Sequence, residues 1–310
     1  MVGTIVLCPG QGAQKVGMAR DLAERFPAAR DALQALDEAL GFPLTATMFD
    51  GPEDALLRTD VTQPAILAHS IAVRAVLGDR LGTVQATMGH SLGEYSAYVV
   101  AGVLSPTDAV RLVRKRGELM AAAGDARPGA MSAVLGLDTA TVAAACAAAS
   151  VAGDVAVAAN LNAPDQTVIS GDPAAVVRAG DACKAAGAKR VMPLKVSGAF
   201  HSPLMAPAQA GLAEALAAAS FHEPVCPVIA NAVAAPVYTS ADARRLLVEQ
   251  LTAPVRFVES AQAAAALVPD ARWIEIGPGS VLAGLVKKCV PGAQVTSLGT
   301  ADDVEKFLSA

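Results

Sequence analysis

Residues 84–101 read VQATMGHSLGEYSAYVVA. Val84 to Met88 is a short β-capable run. Gly89-His90-Ser91-Leu92-Gly93 follows with the spacing G-x-S-x-G, and Glu94 to Ala101 is helix-compatible up to a stop at Gly102. Strand, tight turn and helix in that order can lift the central serine into a strained, exposed position. Glycines flank it because the chain must reverse closely there. Glu94 falls in the helix's first turn, where a carboxylate suits the positive end of the dipole. Ser91 is therefore a candidate nucleophile on an α/β scaffold; the plain alternative is a serine in a glycine-rich turn.

The 310 residues suffice for one large domain or about two average ones. A hydrophobic fraction of 53% with 17% charged residues supports a large core and argues against disorder. Net charge of −5 disfavours nucleic acid as a partner. Five scattered cysteines without a CxxC pair offer neither a disulfide framework nor a zinc site and fit a reducing compartment. No basic leader and no uninterrupted apolar run of spanning length is visible. The expectation is a cytoplasmic protein without a membrane partner.

Thr4 to Leu7 reads as a first strand closed by Pro9-Gly10-Gln11-Gly12, and helical patterns follow through Arg20–Leu40. Thr62-Gln63-Pro64 reads as a helix start with the proline in its first turn. Ser105-Pro106-Thr107-Asp108 reads as a capped start of another helix. Residues 121–129, AAAGDARPG, read as a linker. Beyond it come strand 130–136, helix 138–149, strands 154–159 and 166–170, helix 173–186 and strand 189–194, a βαββαβ series of ferredoxin-like type. A mixed pattern then resumes, with strand 272–276, a helix to about Lys288 and strand 294–298. The expected plan is an α/β body of residues 1–127 and 197–310, with a small domain of residues 128–196 inserted.

A reactive serine needs a base, usually histidine. Of four histidines, His69 shares an apolar helical stripe, His90 adjoins the serine on a turn where neighbours diverge, and His222 sits at a helix end. His201 lies in Gly198-Ala199-Phe200-His201-Ser202, where the insert rejoins the body, and is the candidate. No acid is singled out to orient it: Asp154, Asp165, Asp172 and Asp181 all fall inside the insert. On the helix from Pro106, Arg116 shares a stripe with Ala109, Leu112, Val113 and Met120. An inward guanidinium requires an anionic partner, either a structural acid or a substrate carboxylate. Backbone N–H groups of the Gly10-Gln11-Gly12 turn and of Leu92 are candidate donors to an oxyanion.

Together these residues resemble the malonyl-CoA:acyl carrier protein transacylases of fatty acid synthesis, relatives of polyketide acyltransferase domains. PGQGAQKVGM (9–18), TQPAI (62–66), GHSLGEY (89–95), KRGELM (115–120), GAFHS (198–202) and EIGPG (275–279) match in order along nearly the whole chain. Departures are small: Cys8 stands where an aromatic is common and Ala13 where serine is common. The resemblance implies a hydrolase-like body with a ferredoxin-like insert and a malonyl-Ser91 intermediate. His201 would be base and acid, Arg116 would pair with the malonyl carboxylate, and Gln11 and Leu92 would donate to the oxyanion. The Gln250 backbone carbonyl would support the histidine, and Asn160, Asn162 and Asn231 would line the cleft. Phe200 before the histidine resembles malonyl-selective members.

It also implies malonyl-CoA as substrate, no tightly bound cofactor or metal, holo acyl carrier protein as partner and a monomer. Because carrier proteins are generally acidic, Lys189, Arg190 and Lys195 beside the last insert strand, with Lys287 and Lys288 at a helix end, are expected to form a docking surface. Two other readings stay open at this point. A serine hydrolase would use the same Ser91 and His201, and a carrier-binding module would need no reactive serine.

Overall fold

The computed structural model describes residues 3–196 and 198–310; Met1, Val2 and Ser197, the first residue of the expected return to the body, lie outside the described residues. Among the described residues there are ten strands: β1 Thr4–Cys8, β2 Val84–Gly89, β3 Ala130–Leu135, β4 Ala156–Ala163, β5 Gln166–Gly171, β6 Arg190–Pro193, β7 Val228–Ala230, β8 Ala235–Val237, β9 Arg272–Ile276 and β10 Gln294–Leu298. They form two sheets, so the protein is a mixed α/β structure.

The larger sheet has the order β10-β9-β1-β2-β7-β8, parallel except for the β7–β8 hairpin. Its centre follows from β1, whose five residues are all buried. Ile5 and Leu7 join one apolar cluster with Met88, Phe257 and Trp273, while Val6 and Cys8 join the other with Ile66 and Tyr98. The two-residue alternation thus feeds cores on both faces, the signature of a central parallel strand covered by helices. Strand order reverses beside β1, with β2 and β7 on one side and β9 and β10 on the other. In open parallel sheets the crevice at the carboxyl ends of such strands is where ligands bind. Gln11 follows β1 there and Ser91 follows β2.

The smaller sheet, β4-β5-β3-β6, is antiparallel throughout. Helices Thr139–Ala149 and Pro173–Ala185 close its core with Val134, Ile169 and Val176. Its strand β4 also reaches the body: Val255 N–H donates to Ala159 O (2.8 Å) and Leu161 N–H to Val255 O (2.9 Å).

Three boundaries differ from expectation. The helix expected to open at Pro64 spans Thr59–Leu77 with the proline inside. Proline cannot donate to the carbonyl four residues back; that carbonyl, Asp60 O, accepts instead from Arg114 Nη1 at 2.9 Å. The expected linker is mostly helix, since the Pro106 helix runs to Ala126 on strong helix formers. Strand β4 continues to Ala163, past the apolar run that marks its start, with irregular register around Asn160 and Asn162. One helical stretch, Thr59–Leu81, is long and apolar enough by composition to cross a membrane, and its window is 72% buried within the protein, as for a core helix.

Candidate active site

The turn after β2 is as tight as its glycines require. A Cβ on Gly89 would lie 2.1 Å from Gly93 O, and one on Gly93 would lie 2.2 Å from Cys8 O. Ser91 between them has φ 53°, a left-handed conformation that side chains other than glycine rarely adopt. The helix Gly93–Val100 follows directly, leaving Leu92 at its N-terminus. N–H groups there have no intrahelical acceptor.

Ser91 Oγ is 2.7 Å from His201 Nε2. His201 Nδ1 faces two carbonyl oxygens, Gln250 O at 2.9 Å and Ala253 O at 3.2 Å. A ring nitrogen facing carbonyls must carry the proton, so Nε2 is the lone-pair nitrogen that can accept from Ser91 Oγ–H. Burial lowers the His201 pKa to about 3, helped by Arg116 and His90 and opposed by the two carbonyls. The ring is therefore neutral near pH 7, the form a general base needs. Backbone strain recurs at this residue, with φ 55°. The four aspartates considered as orienting acids are engaged elsewhere: Asp154 with Arg178, Asp165 with Lys288, Asp172 with Arg127 and Asp181 with Lys184.

Arg116 is buried along with the rest of its stripe. The Ser105 cap sets the helix start, its Oγ accepting from Asp108 N–H at 3.0 Å. The guanidinium donates to Gln63 Oε1 (2.7 Å), Ser91 Oγ (3.0 Å) and Gln250 Oε1 (3.0 Å), all neutral acceptors. Its Nε has no hydrogen-bond partner and no carboxylate makes an ion pair with it among the described residues. Burial lowers its pKa while Tyr95 and Glu94 oppose the shift. A buried cation held only by neutral groups is costly and is a ready receptor for an anion.

The sequence did not point to Glu94 as part of this cluster. Its carboxylate is fully buried, and Oε2 accepts from Gln250 Nε2 (2.8 Å) and Asn231 N–H (2.9 Å). Burial raises its pKa to about 7, against those two donors, Arg116 and Tyr98. Gln63 was also missed, although its side chain spans Arg116 and Met120 Sδ (3.3 Å). A buried partner for Arg116 could have been sought among polar residues of the facing helix, and Gln63 lies in the quoted TQPAI motif.

Asn231 departs from the expected place in the cleft lining. Both ends of its amide are taken by the serine turn, Oδ1 accepting from Ser91 N–H (2.7 Å) and Nδ2 donating to Gly89 O (2.7 Å). It sits beneath the turn. A cavity of about 100 Å³ opens above Ser91, lined by Gln11, Leu92, Arg116, Asn160, Phe200 and His201 among others. Met131 of β3 and Leu194 just after β6 line it from the smaller sheet's side, while Gln11 and Ser91 come from turns that follow strands of the larger sheet. A neighbouring cavity of about 140 Å³ shares Gln11 and His90 and adds Asn162. Asn162 Oδ1 lies 2.8 Å from His90 Nε2, so that ring nitrogen is engaged with the smaller sheet.

The five basic candidates stand apart from this cluster. Lys189, Arg190 and Lys195 are exposed along β6 and its exit, and Lys287 and Lys288 are exposed at the end of the Val281–Cys289 helix. Lys288 pairs with Asp165 at 3.1 Å. Among the described residues no group of three or more His, Cys, Asp or Glu is arranged to hold a metal ion, and all five cysteines are buried and unpaired as disulfides.

The arrangement brings a strained serine, a neutral histidine and a buried cation to one cavity. Comparison with known proteins points the same way. A family model described as "Acyl transferase domain" matches residues 5–309. The malonyl CoA-acyl carrier protein transacylase of Bacillus subtilis (strain 168) is 46% identical over 284 residues, covering 91% of this chain and 89% of that protein. That of Escherichia coli (strain K12) is 45% identical over 292 residues, 94% of each. Among solved structures, an acyl carrier protein S-malonyltransferase from Vibrio cholerae superposes with a TM-score of 0.91 at 41% identity, covering 98% of this chain and 99% of that one. A malonyl-transacylase in complex with a type II polyketide acyl carrier protein gives 0.93 at 39%, covering 99% of each.

Proposed function

The chain belongs to the acyl transferase domain family, and from that membership and the geometry around Ser91 we propose that it transfers a malonyl group from malonyl-CoA to the phosphopantetheine thiol of acyl carrier protein, supplying extender units for fatty acid synthesis. The observation that carries the choice of acyl group is Arg116. An acyl chain on Ser91 Oγ begins 3.0 Å from a buried guanidinium whose acceptors are all neutral. An acyl group ending in a carboxylate answers that charge, and an uncharged acetyl group does not.

The reaction has two half-steps. His201 Nε2 takes the Ser91 proton as Oγ attacks the thioester carbonyl, and the oxyanion is met by N–H groups of Gln11 and Leu92. The carbon–sulfur bond breaks and CoA leaves with the proton from His201. The carrier thiol then gives its proton to His201 and attacks the malonyl-serine ester, and Ser91 leaves with that proton. The Gln250 and Ala253 carbonyls hold Nδ1–H throughout, the task an acid has in other serine enzymes. Asn160 borders the acyl cavity, and Asn162 borders the adjoining one beside His90.

The same reading takes residues 1–127 and 197–310 as a hydrolase-like body and 128–196 as a ferredoxin-like insert. The parallel order of one sheet and the antiparallel order β4-β5-β3-β6 of the other support it. It keeps the expectations of a monomeric, cytoplasmic enzyme without a tightly bound cofactor.

Intact-protein mass after brief exposure to malonyl-CoA tests the proposal, with Ser91→Ala in parallel and holo carrier protein added afterwards. One malonyl group on the unaltered protein alone, then moved to the carrier, is expected. An adduct that water clears without transfer would make the protein a hydrolase instead.

A further inference from the structure

Two residues link the groups that the proposed reaction uses. Gln250 touches three of them: its Oε1 accepts from Arg116 Nη2 (3.0 Å), its backbone O accepts from His201 Nδ1 (2.9 Å), and its Nε2 donates to Ser91 O (3.0 Å). Asn231 clasps the serine turn through Ser91 N–H and Gly89 O. Both converge on a single oxygen, Glu94 Oε2, which accepts from Gln250 Nε2 at 2.8 Å and from Asn231 N–H at 2.9 Å.

Glu94 is fully buried, and no lysine or arginine makes an ion pair with it among the described residues. A carboxylate serving only the helix dipole could have stayed in water, so a buried one needs a further reason. Its chemistry supplies that reason. An ionised carboxylate accepts and never donates, whereas the two ends of a glutamine amide are nearly alike in shape. Once Glu94 is ionised, it and the Ser91 carbonyl both take the NH₂ end of Gln250 while the donor-only Arg116 takes its oxygen, so the amide has a single orientation.

We propose that Glu94 is a positioning residue for acyl transfer, anchoring the NH₂ end of the Gln250 amide whose oxygen meets Arg116 and tying Gln250 and Asn231 into one unit that sets Ser91, His201 and Arg116 relative to each other. The assignment rests on the function proposed above, and it acts without touching the acyl group.

Glu94→Asp keeps the charge and withdraws the oxygen by one methylene; Glu94→Gln keeps the reach but can present either amide end. Both are compared with the unaltered protein at about pH 8, above the value of about 7 to which burial pushes Glu94. Three readouts are taken: thermal unfolding, the saturating rate and half-saturating concentration for malonyl-Ser91 formation by mass, and the rate of Ser91 labelling by a fluorophosphonate. A misplacement of about 1 Å costs up to roughly 100-fold in rate. Glu94→Asp is expected to lose about that in both rates, with half-saturation by malonyl-CoA shifted by less than about threefold, and Glu94→Gln to lose about 10-fold. A folded Glu94→Asp within about threefold of the parent rate overturns the proposal, as does Glu94→Gln slower than Glu94→Asp. If Glu94→Asp does not fold, Glu94→Gln decides alone, and an unchanged saturating rate overturns the assignment. Fluorophosphonate labelling reads the Ser91–His201 pair whatever the acyl group. A parent protein that takes this probe but no malonyl group therefore sinks the proposed function, while the probe rates of the variants still decide Glu94.

Discussion

Two polar regions of this protein use their charges in opposite ways. Around Ser91 the charged groups are few and buried. Arg116 and Glu94 have Gln250 between them, and each polar contact there is shared with another residue of the cluster. Along β6 and at the end of the Val281–Cys289 helix, Lys189, Arg190, Lys195, Lys287 and Lys288 stand in water. Lys288 has an exposed carboxylate beside it, in Asp165. The buried region gains its leverage from what water cannot screen, and the exposed one acts only by summing weak, salt-sensitive attractions. Substitutions should therefore have large, particular effects in the first region and small, additive ones in the second.

The largest effect belongs to the serine itself. Ser91→Ala should leave no malonyl adduct, with transfer reduced at least about 1000-fold, and His201→Ala should approach the same floor because the pair acts as a unit. Adduct mass and steady-state transfer check both. Next comes Arg116→Ala, expected to lower malonyl transfer by roughly 100-fold, in line with removing one partner of a desolvated charge pair. Acetyl loading should fall less, since it loses the donations to Ser91, Gln63 and Gln250 but no contact with an acyl carboxylate. Equal losses for the two acyl groups would break the contrast drawn above, because Arg116 would then be part of the scaffold alone.

A pH titration sharpens the contrast further. His201 must be neutral to accept the serine proton, so labelling of Ser91 by a small uncharged electrophile is lost as pH falls through the His201 pKa. Burial first, then Arg116 and His90, lower that pKa from 6.5 to about 3. The acid limb should therefore lie well below 6.5, where an exposed histidine would put it. Repeating the titration with Glu94→Gln removes the one cluster carboxylate that titrates near neutrality, at about 7. A limb that stays near 6.5 in both proteins would mean that His201 is hydrated like a surface residue.

Much of the buried region was legible because its chemistry is local. Two glycines two residues either side of Ser91, a strand before and a helix after required only short-range reading, and strands β9 and β10 fell on the expected residues. The inward face of the Arg116 helix was visible in a single stripe. What escaped was carried by backbone or by distance. The group supporting His201 is a pair of carbonyls, which no side chain advertises, so the resemblance was needed to point at Gln250. Glu94 looked like an ordinary first-turn acid, because its burial depends on Asn231 and Gln250, 137 and 156 residues away. Asn231 itself follows β7, a strand of three residues, too short to carry a period. Pro64 misled because its lost hydrogen bond is replaced by Arg114, from another helix.

The smallest effects belong to the exposed basic residues, and their pattern matters more than their size. If they receive an acidic carrier protein, a reversal such as Lys189→Glu or Lys195→Glu should raise the carrier Michaelis constant by roughly threefold to tenfold each. The rate of malonyl-Ser91 formation from malonyl-CoA should not change, since neither residue lines the cavity above Ser91. Lys288 should matter less than Lys287, because Asp165 already lies 3.1 Å from its ammonium, whereas no ion pair joins Lys287 among the described residues. Raising the salt concentration should shrink all of these differences together while leaving the Arg116→Ala defect in place, since exposed charges are screened within about 10 Å and buried ones are not. Transfer that ignores both charge reversal and salt would remove these residues from the docking surface. An acylation step that weakens along with transfer would instead mean that the same residues hold the CoA phosphates, and the exposed region would then belong to the first half-reaction as well as the second.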